Sequence, residues 1–302
     1  MSRVIICIFC GKIFSLFPVG QVCYTVTYIN YRNGEKKVGG QGTAERMWRI
    51  VFPILLYVLF SMLYPELLRI ASGGRMSEPA WAMWLLTAVN LLMLPVFWLL
   101  YQRERREYRR KHSFCLKDML LVILGSVCLS RGINYFLALT FLPRLFPGYQ
   151  EVSEGIYHCS FLSQIAAVVV SAPFLEEVLI RGIIYERLKA VVWNSRRAMV
   201  ISAVIFGVFH GNVVQGLYAF VMGLFFVQVY EACDSLFLAV VAHIAANGAS
   251  VLAGRYPWPD EFYRLPGVYY LLTAGFLMIG MLCWRYFLFY GTKSARSETE
   301  MY

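Results

Sequence analysis

Hydrophobic residues in this chain fall in long unbroken blocks, separated by short polar and basic stretches. Blocks at roughly 48–64, 80–101, 118–143, 156–175, 198–212, 213–232, 235–253 and 267–290 are almost wholly apolar. A helix that crosses a bilayer needs about 20 such residues. The pattern therefore predicts an all-α fold, a polytopic membrane bundle of about eight transmembrane helices. The thinnest division lies between the blocks at 198–212 and 213–232, where Gly211, Asn212 and Gly216 supply the break.

Composition agrees with this. Hydrophobic residues make up 59% of the 302 and charged residues 15%, against about 25% charged in soluble domains. Mean hydropathy is +0.58. One soluble core cannot bury that much apolar surface, which excludes disorder, coiled coil, collagen and an ordinary soluble enzyme.

The net charge of +10 would suggest nucleic-acid binding in a soluble protein. Here it reads as topology, because Lys and Arg gather in loops that stay cytoplasmic, and no nucleic-acid partner is expected. The loop QRERREYRRKHSFCLK holds Arg103, Arg105, Arg106, Arg109, Arg110, Lys111 and Lys117. Counting from it puts Arg46, Arg49, Arg187, Lys189, Arg196, Arg197, Lys293 and Arg296 on the same side. The loops at 144–155 and 254–266, with Glu151, Glu154, Asp260 and Glu261, fall outside. The expectation is an integral protein of the cell (plasma) membrane with both termini cytoplasmic.

Four segments follow: an atypical 1–46, either a signal-like anchor or extra sequence ahead of a start at Met47; N-terminal helices over 47–155; a core over 156–253; and a last helix with its tail over 254–302. Cys7 and Cys10 form a CxxC without a second pair, too little for zinc. All eight cysteines (Cys7, Cys10, Cys23, Cys115, Cys128, Cys159, Cys233, Cys283) read as small apolar fillers without disulfides.

Ionisable groups inside hydrocarbon are costly and mark functional sites. Glu176, Glu177, His210 and His243 stand in or beside apolar blocks. On a helix Glu177 and Arg181 are i,i+4 and can pair, whereas Glu176 has Ile180 at i+4 and no counter-charge. Phe206 and His210 are also i,i+4, flanked by Gly207 and Gly211 at the spacing that lets helices approach. Asn247 shares a face with His243. Each position has a plain structural reading as a helix end, an interface residue or an interhelical hydrogen bond. Together, a free carboxylate, two imidazoles and an amide make a set able to hold water. Glu176 would take its proton, and a histidine or Asn247 would stabilise an oxyanion. The same groups suit a divalent metal such as zinc, with His210, His243 and Glu176 as ligands.

The ordered segments Glu176-Glu177-Val178-Leu179-Ile180-Arg181, Phe206 to His210 and His243 to Asn247 resemble the EExxxR, FxxxH and HxxxN motifs of the CPBP intramembrane proteases. These are the CAAX protease and bacteriocin-processing (Abi) family, which includes type II CAAX prenyl endopeptidases. The resemblance covers roughly 156–253. It implies an endopeptidase cutting near the cytoplasmic face and a conical cavity open to the cytoplasm. It implies Glu176 as water activator, His210, His243 and Asn247 as catalytic partners, and Glu177, Arg181 and Phe206 as supporting residues. It also implies a peptide or protein substrate, lipidated in some members, with glutamate-type and metal-dependent chemistry both open. The alternatives are a non-enzymatic scaffold or immunity-type protein that keeps the fold, and a proton- or metal-coupled transporter.

Arg131 is expected to be a counter-charge for Glu176 or Glu177, or else a snorkelling cation. Asn90, Gln164, Gln215 and Gln228 are expected to form interhelical hydrogen bonds, and His158 to sit at the outer interface.

Overall fold

The computed structural model describes residues 43–74, 81–107, 114–192, 194–256 and 266–299, and among these it is helical, without strands. The helices are α1 (Thr43–Ala71), α2 (Ala82–Glu107), α3 (Leu116–Leu139), the short α4 (Leu142–Leu145) and α5 (Pro147–Tyr157). After them come α6 (161–192), α7 (Ser195–Val208), α8 (Val213–Cys233), α9 (Leu236–Arg255) and α10 (Pro266–Thr299). The 1–42 part of the atypical N-terminal segment, with Cys7, Cys10 and Cys23, lies outside the described residues, as do Arg109, Arg110, Lys111, Asp260 and Glu261.

Six of these helices, α1, α2, α3, α8, α9 and α10, are long and apolar enough to cross a membrane. The polytopic helical bundle stands; two of the eight expected spans take another form. The block at 156–175 is split at 158–160, where α5 ends and Ser160 caps a new helix by accepting the Ser163 N–H. The new helix runs on to 192, but not as plain α-helix. It has π-helical stretches at Ile165–Ser171 and Val178–Tyr185 on either side of an α-helical Ala172–Glu177. The block at 198–212 becomes α7, of 14 residues. At 1.5 Å per residue that is about 21 Å, short of the 30 Å hydrocarbon core. The 144–155 region expected as a loop is occupied by α4 and α5.

Pro173 explains the first departure. A proline inside a helix lacks an N–H and crowds the carbonyl four residues earlier. Pro173 stands in the first turn of the α-helical Ala172–Glu177 stretch, the ladder upstream has π spacing, and the helix continues through it.

Helices α3, α8, α9 and the middle of α6 form the interior, while α1 and α10 lie outside, with 11% and 17% of their apolar windows buried. Leu59, Met62 and Ile70 of α1 and Leu271, Met278 and Leu282 of α10 are exposed, as expected for helices facing lipid. Small residues set the closest approaches. A Cβ on Gly207 of α7 would lie 2.7 Å from the carbonyl of Gly216 in α8, and Gly280 backs onto Leu129. Gly211 does not serve as a second packing glycine. It has φ +71° and open space around it, so it turns the chain after α7.

One end of the bundle is tied by charge. Glu104 of α2 is buried and accepts from Nε and Nη2 of Arg187 at 2.9 and 2.6 Å, and Arg187 Nη1 donates to the carbonyl of Arg49 in α1. Lys189 reaches Glu186 and Glu231 nearby. Basic residues expected on one side of the membrane thus share one end of the molecule.

The polar expectations divide. Asn90 donates to Ser171 Oγ and Gln228 to the Phe287 carbonyl, both between helices. Gln164 caps the end of α5 through the carbonyls of Ile156 and Cys159. Gln215 does not bridge helices; it pairs with Asn212, the N-cap of its own helix. His158 is exposed at the end of α5. No disulfide joins the five described cysteines, and four of them are buried. Cys115 is the exception to the filler reading. It is exposed and precedes α3, where its N–H and thiol both meet Asp118.

Candidate functional site

Glu176 and Glu177 end the α-helical turn between the two π stretches of α6. Adjacent residues on a helix point about 100° apart, and here that rotation gives the two carboxylates different surroundings. Glu177 is fully buried, whereas Glu176 keeps 23% of its side-chain exposure.

Glu177 is the hub. Its Oε1 accepts from Arg181 Nη1 at 2.8 Å and from His243 Nδ1 at 2.8 Å. The expected i,i+4 pair is therefore present, but with a second donor from α9 that spacing along α6 does not reveal. Arg181 has no exposed surface; its Nη2 donates to the Gly223 carbonyl at 3.0 Å, and its guanidinium lies over the rings of Phe206 (4.6 Å) and Phe226 (5.4 Å). Gly223 makes this possible, since a Cβ there would stand 3.0 Å from Phe206 and 3.3 Å from Arg181 Nη2. Two buried atoms, Glu177 Oε2 and Arg181 Nε, have no protein partner.

A carboxylate held beside a guanidinium accepts, so His243 carries its proton on Nδ1 and turns Nε2 outward as a lone pair. That Nε2 stands 3.8 Å from Glu176 Oε2, too far for a direct hydrogen bond. The ring is fixed on both sides, stacked on Phe226 at 4.8 Å and edge-on to Phe206 at 5.5 Å. Arg131 plays no part in this pair. It sits over its own neighbour Tyr135, 4.5 Å from the ring centroid, and makes no ion pair with either glutamate. Arg181 and His243 already occupy Glu177 Oε1.

His210 follows α7 in the turn before α8. Its Nδ1 donates to the Phe206 carbonyl at 2.9 Å, and its ring meets the Phe206 ring at 4.9 Å, as the i,i+4 spacing predicts. Its Nε2 is likewise left as a lone pair in the neutral ring. Burial pushes its pKa below the ordinary imidazole value, against the pull of the Glu176 carboxylate. Phe206 thus lies between the two imidazoles.

Asn247, one turn beyond His243, donates from Nδ2 to the carbonyl of Val168 at 2.9 Å. In a π ladder that carbonyl would receive the N–H five residues on, and residue 173 is proline. The Ala172 N–H already goes to Ala167. Asn247 therefore supplies the missing donor, and the second N–H of its amide remains available.

All seven residues singled out in the sequence, Glu176, Glu177, Arg181, Phe206, His210, His243 and Asn247, gather where α6, α7 and α9 meet. Phe226, Gly223 and the Val168 carbonyl also belong here and carry no sequence signature. Among the described residues no three His, Cys, Asp or Glu side chains form a group that could hold a metal ion. The set does not fit a zinc centre, which takes three or more protein ligands at about 2.0–2.3 Å.

A family model, Type II CAAX prenyl endopeptidase Rce1-like, matches residues 158–249, a little under a third of the chain. The match begins at α5's end, includes every residue of the cluster, and supports the CPBP/CAAX protease family to which the motifs point. No curated protein and no solved structure matches the chain.

Proposed function

We propose that this protein is an intramembrane endopeptidase whose catalytic core spans 156–253, with Glu176 as the base that activates water. The observation that carries this reading is the division of labour between two adjacent carboxylates. Glu177 is consumed by Arg181 and His243, while Glu176 stays partly open, 3.8 Å from the lone pair of His243 Nε2. One water within about 2.8 Å of both atoms fits that gap.

In the reaction, Glu176 removes a proton from this water as its oxygen adds to the peptide carbonyl carbon. His243 Nε2 accepts the water's other hydrogen and orients it. The free N–H of Asn247 faces the developing oxyanion. His210 Nε2, a lone pair in the neutral ring, offers a second acceptor that helps to orient the water. The proton on Glu176 passes to the amide nitrogen, the C–N bond breaks, and the carboxylic acid and amine that form exchange a proton and leave as carboxylate and ammonium. Arg181 and Phe206 hold the imidazole and carboxylate in place. A peptide or protein substrate follows from this chemistry, and the matched family favours one lipidated near its C-terminus. Arg49, Arg187 and Lys189 gather at one end of the bundle, which supports cytoplasmic termini.

The test is cleavage of an S-farnesylated peptide and its unlipidated counterpart by purified protein in vesicles, read by mass spectrometry. Wild type is expected to release a C-terminal fragment. Glu176→Ala, His210→Ala and His243→Ala should each abolish it while still inserting. Full activity in Glu176→Ala would remove the proposal.

A further inference from the structure

Met278, Met281, Leu282, Arg285, Leu288 and Phe289 line one groove on α10. Their spacing of three and four residues puts them on a single face of the helix. The five apolar members are between 47% and 62% exposed, while Cys283 and Phe287 on the opposite face are buried against the bundle. Arg285 is the only charge in the groove and is itself exposed.

The apolar span of α10 runs over Gly267–Phe289, so Arg285 stands about one turn inside its end. Side chains on a helix lean towards its N-terminus, which from Arg285 is towards the bilayer centre. The guanidinium goes the other way and lies 5.1 Å from the ring centroid of Phe289, four residues on. That is the posture of a cation reaching for the membrane surface.

A second cation reaches the same level from α3. Lys117 is exposed, and its Nζ lies 5.1 Å from the ring centroid of Tyr286, the residue after Arg285. Tyr286 is fixed there because its hydroxyl donates to Asp118 Oδ1 at 2.9 Å. Asp118 feels the charge of Lys117, but it is buried, and its Oδ2 already accepts the Cys115 N–H. Among the described residues neither Lys117 nor Arg285 makes an ion pair. Because α2 ends at Glu107 and α3 starts at Leu116, Lys117 lies at the same end of the bundle as Glu104 and Arg187, the basic end read as cytoplasmic.

Two cations without counter-ions, at the mouth of an apolar groove that runs inward, match a molecule with an anionic head and a hydrocarbon chain. From Arg285 to Met278 the groove extends about 10 Å at 1.5 Å per residue. A second copy of this chain fits less well, because a two-fold dimer on this face would set Arg285 against the same residue of its partner.

We propose that this face of α10, together with Lys117 of α3, binds an anionic phospholipid of the cytoplasmic leaflet. The phosphate accepts from Arg285 and Lys117, and an acyl chain lies along Leu282, Met281 and Met278. The site is on the outer surface of the bundle, and its occupancy does not depend on the peptidase reading.

The experiment places full-length protein in detergent micelles holding equal amounts of phosphatidylglycerol and phosphatidylcholine with the same acyl chains. Native mass spectrometry counts the lipids retained. Wild type is expected to prefer phosphatidylglycerol, and Arg285→Gln and Lys117→Gln should each lower that preference about fivefold, the effect of one cation near an anionic membrane surface. Both side chains are exposed, so the variants should fold as wild type does. Arg196→Gln, which removes an exposed cation at the same end but outside the groove, should leave the preference unchanged. Excess glycerol phosphate, which lacks the chain, should not displace the lipid. Equal retention of the two lipids, or a preference unchanged by Arg285→Gln and Lys117→Gln, overturns the proposal. A two-chain mass that falls to one chain in Arg285→Gln also overturns it and assigns the face to a second copy.

Discussion

Asn247 donates to the carbonyl of Val168, the oxygen five residues before Pro173. A proline in α6, a π-widened ladder and an amide on α9 are thereby one device. The helix bearing Glu176 and Glu177 is fastened to the helix bearing His243 through a carbonyl that the chain's own geometry leaves without a donor.

Removing this fastening is expected to cost stability as well as activity. Asn247→Ala should lower the melting temperature in detergent by an amount equivalent to about 0.6–2 kcal/mol, the range for interhelical hydrogen bonds in membranes. Pro173→Ala restores an N–H at 173 and should make Asn247→Ala less costly. Additive effects in that double-mutant cycle would show that Pro173 and Asn247 are not linked through Val168.

Glu176→Gln and Glu177→Gln should separate cleanly. The first removes a partly exposed carboxylate with no close protein donor, so folding should be nearly unchanged and cleavage lost. The second leaves Arg181 buried without its counter-charge and is expected to destabilise by about 3–5 kcal/mol. Thermal unfolding of the two purified variants checks this; equal melting temperatures would contradict the hub role of Glu177.

Gly223→Ala places a methyl 3.0 Å from Phe206 and 3.3 Å from Arg181 Nη2. It should push the guanidinium off the Gly223 carbonyl, at roughly 1–3 kcal/mol, the usual cost of overpacking. Gly275→Ala, with nothing near its Cβ, is the control. A Gly223→Ala protein as stable and active as that control would show that the close approach is unimportant.

Gly207→Val should separate α7 from α8, because its Cβ would meet the Gly216 backbone at 2.7 Å and backbone cannot step aside as a side chain can. His210, three residues on, would then move relative to Glu176. The expected outcome is loss of cleavage in a protein that still inserts, with altered protease sensitivity in the 208–213 turn.

Much of the protein was legible in the order of its residues. Lipid admits only helices and closed barrels, and apolar blocks of about 20 residues fit helices, so the bundle, most helix positions and the all-α class follow from hydropathy alone. The i,i+4 contacts of Glu177 with Arg181 and of Phe206 with His210 follow from helical periodicity, which is local. The π stretches of α6 were not legible, because whether a proline kinks, starts or widens a helix depends on which neighbouring groups rescue its orphaned carbonyl. The second partner of Glu177, the ring of Phe226 against His243, and the isolation of Arg131 from both glutamates were not legible either. Each depends on how α3, α6, α8 and α9 are rotated about their axes. Packing between helices settles those rotations, and an apolar sequence facing equally apolar lipid carries little record of it.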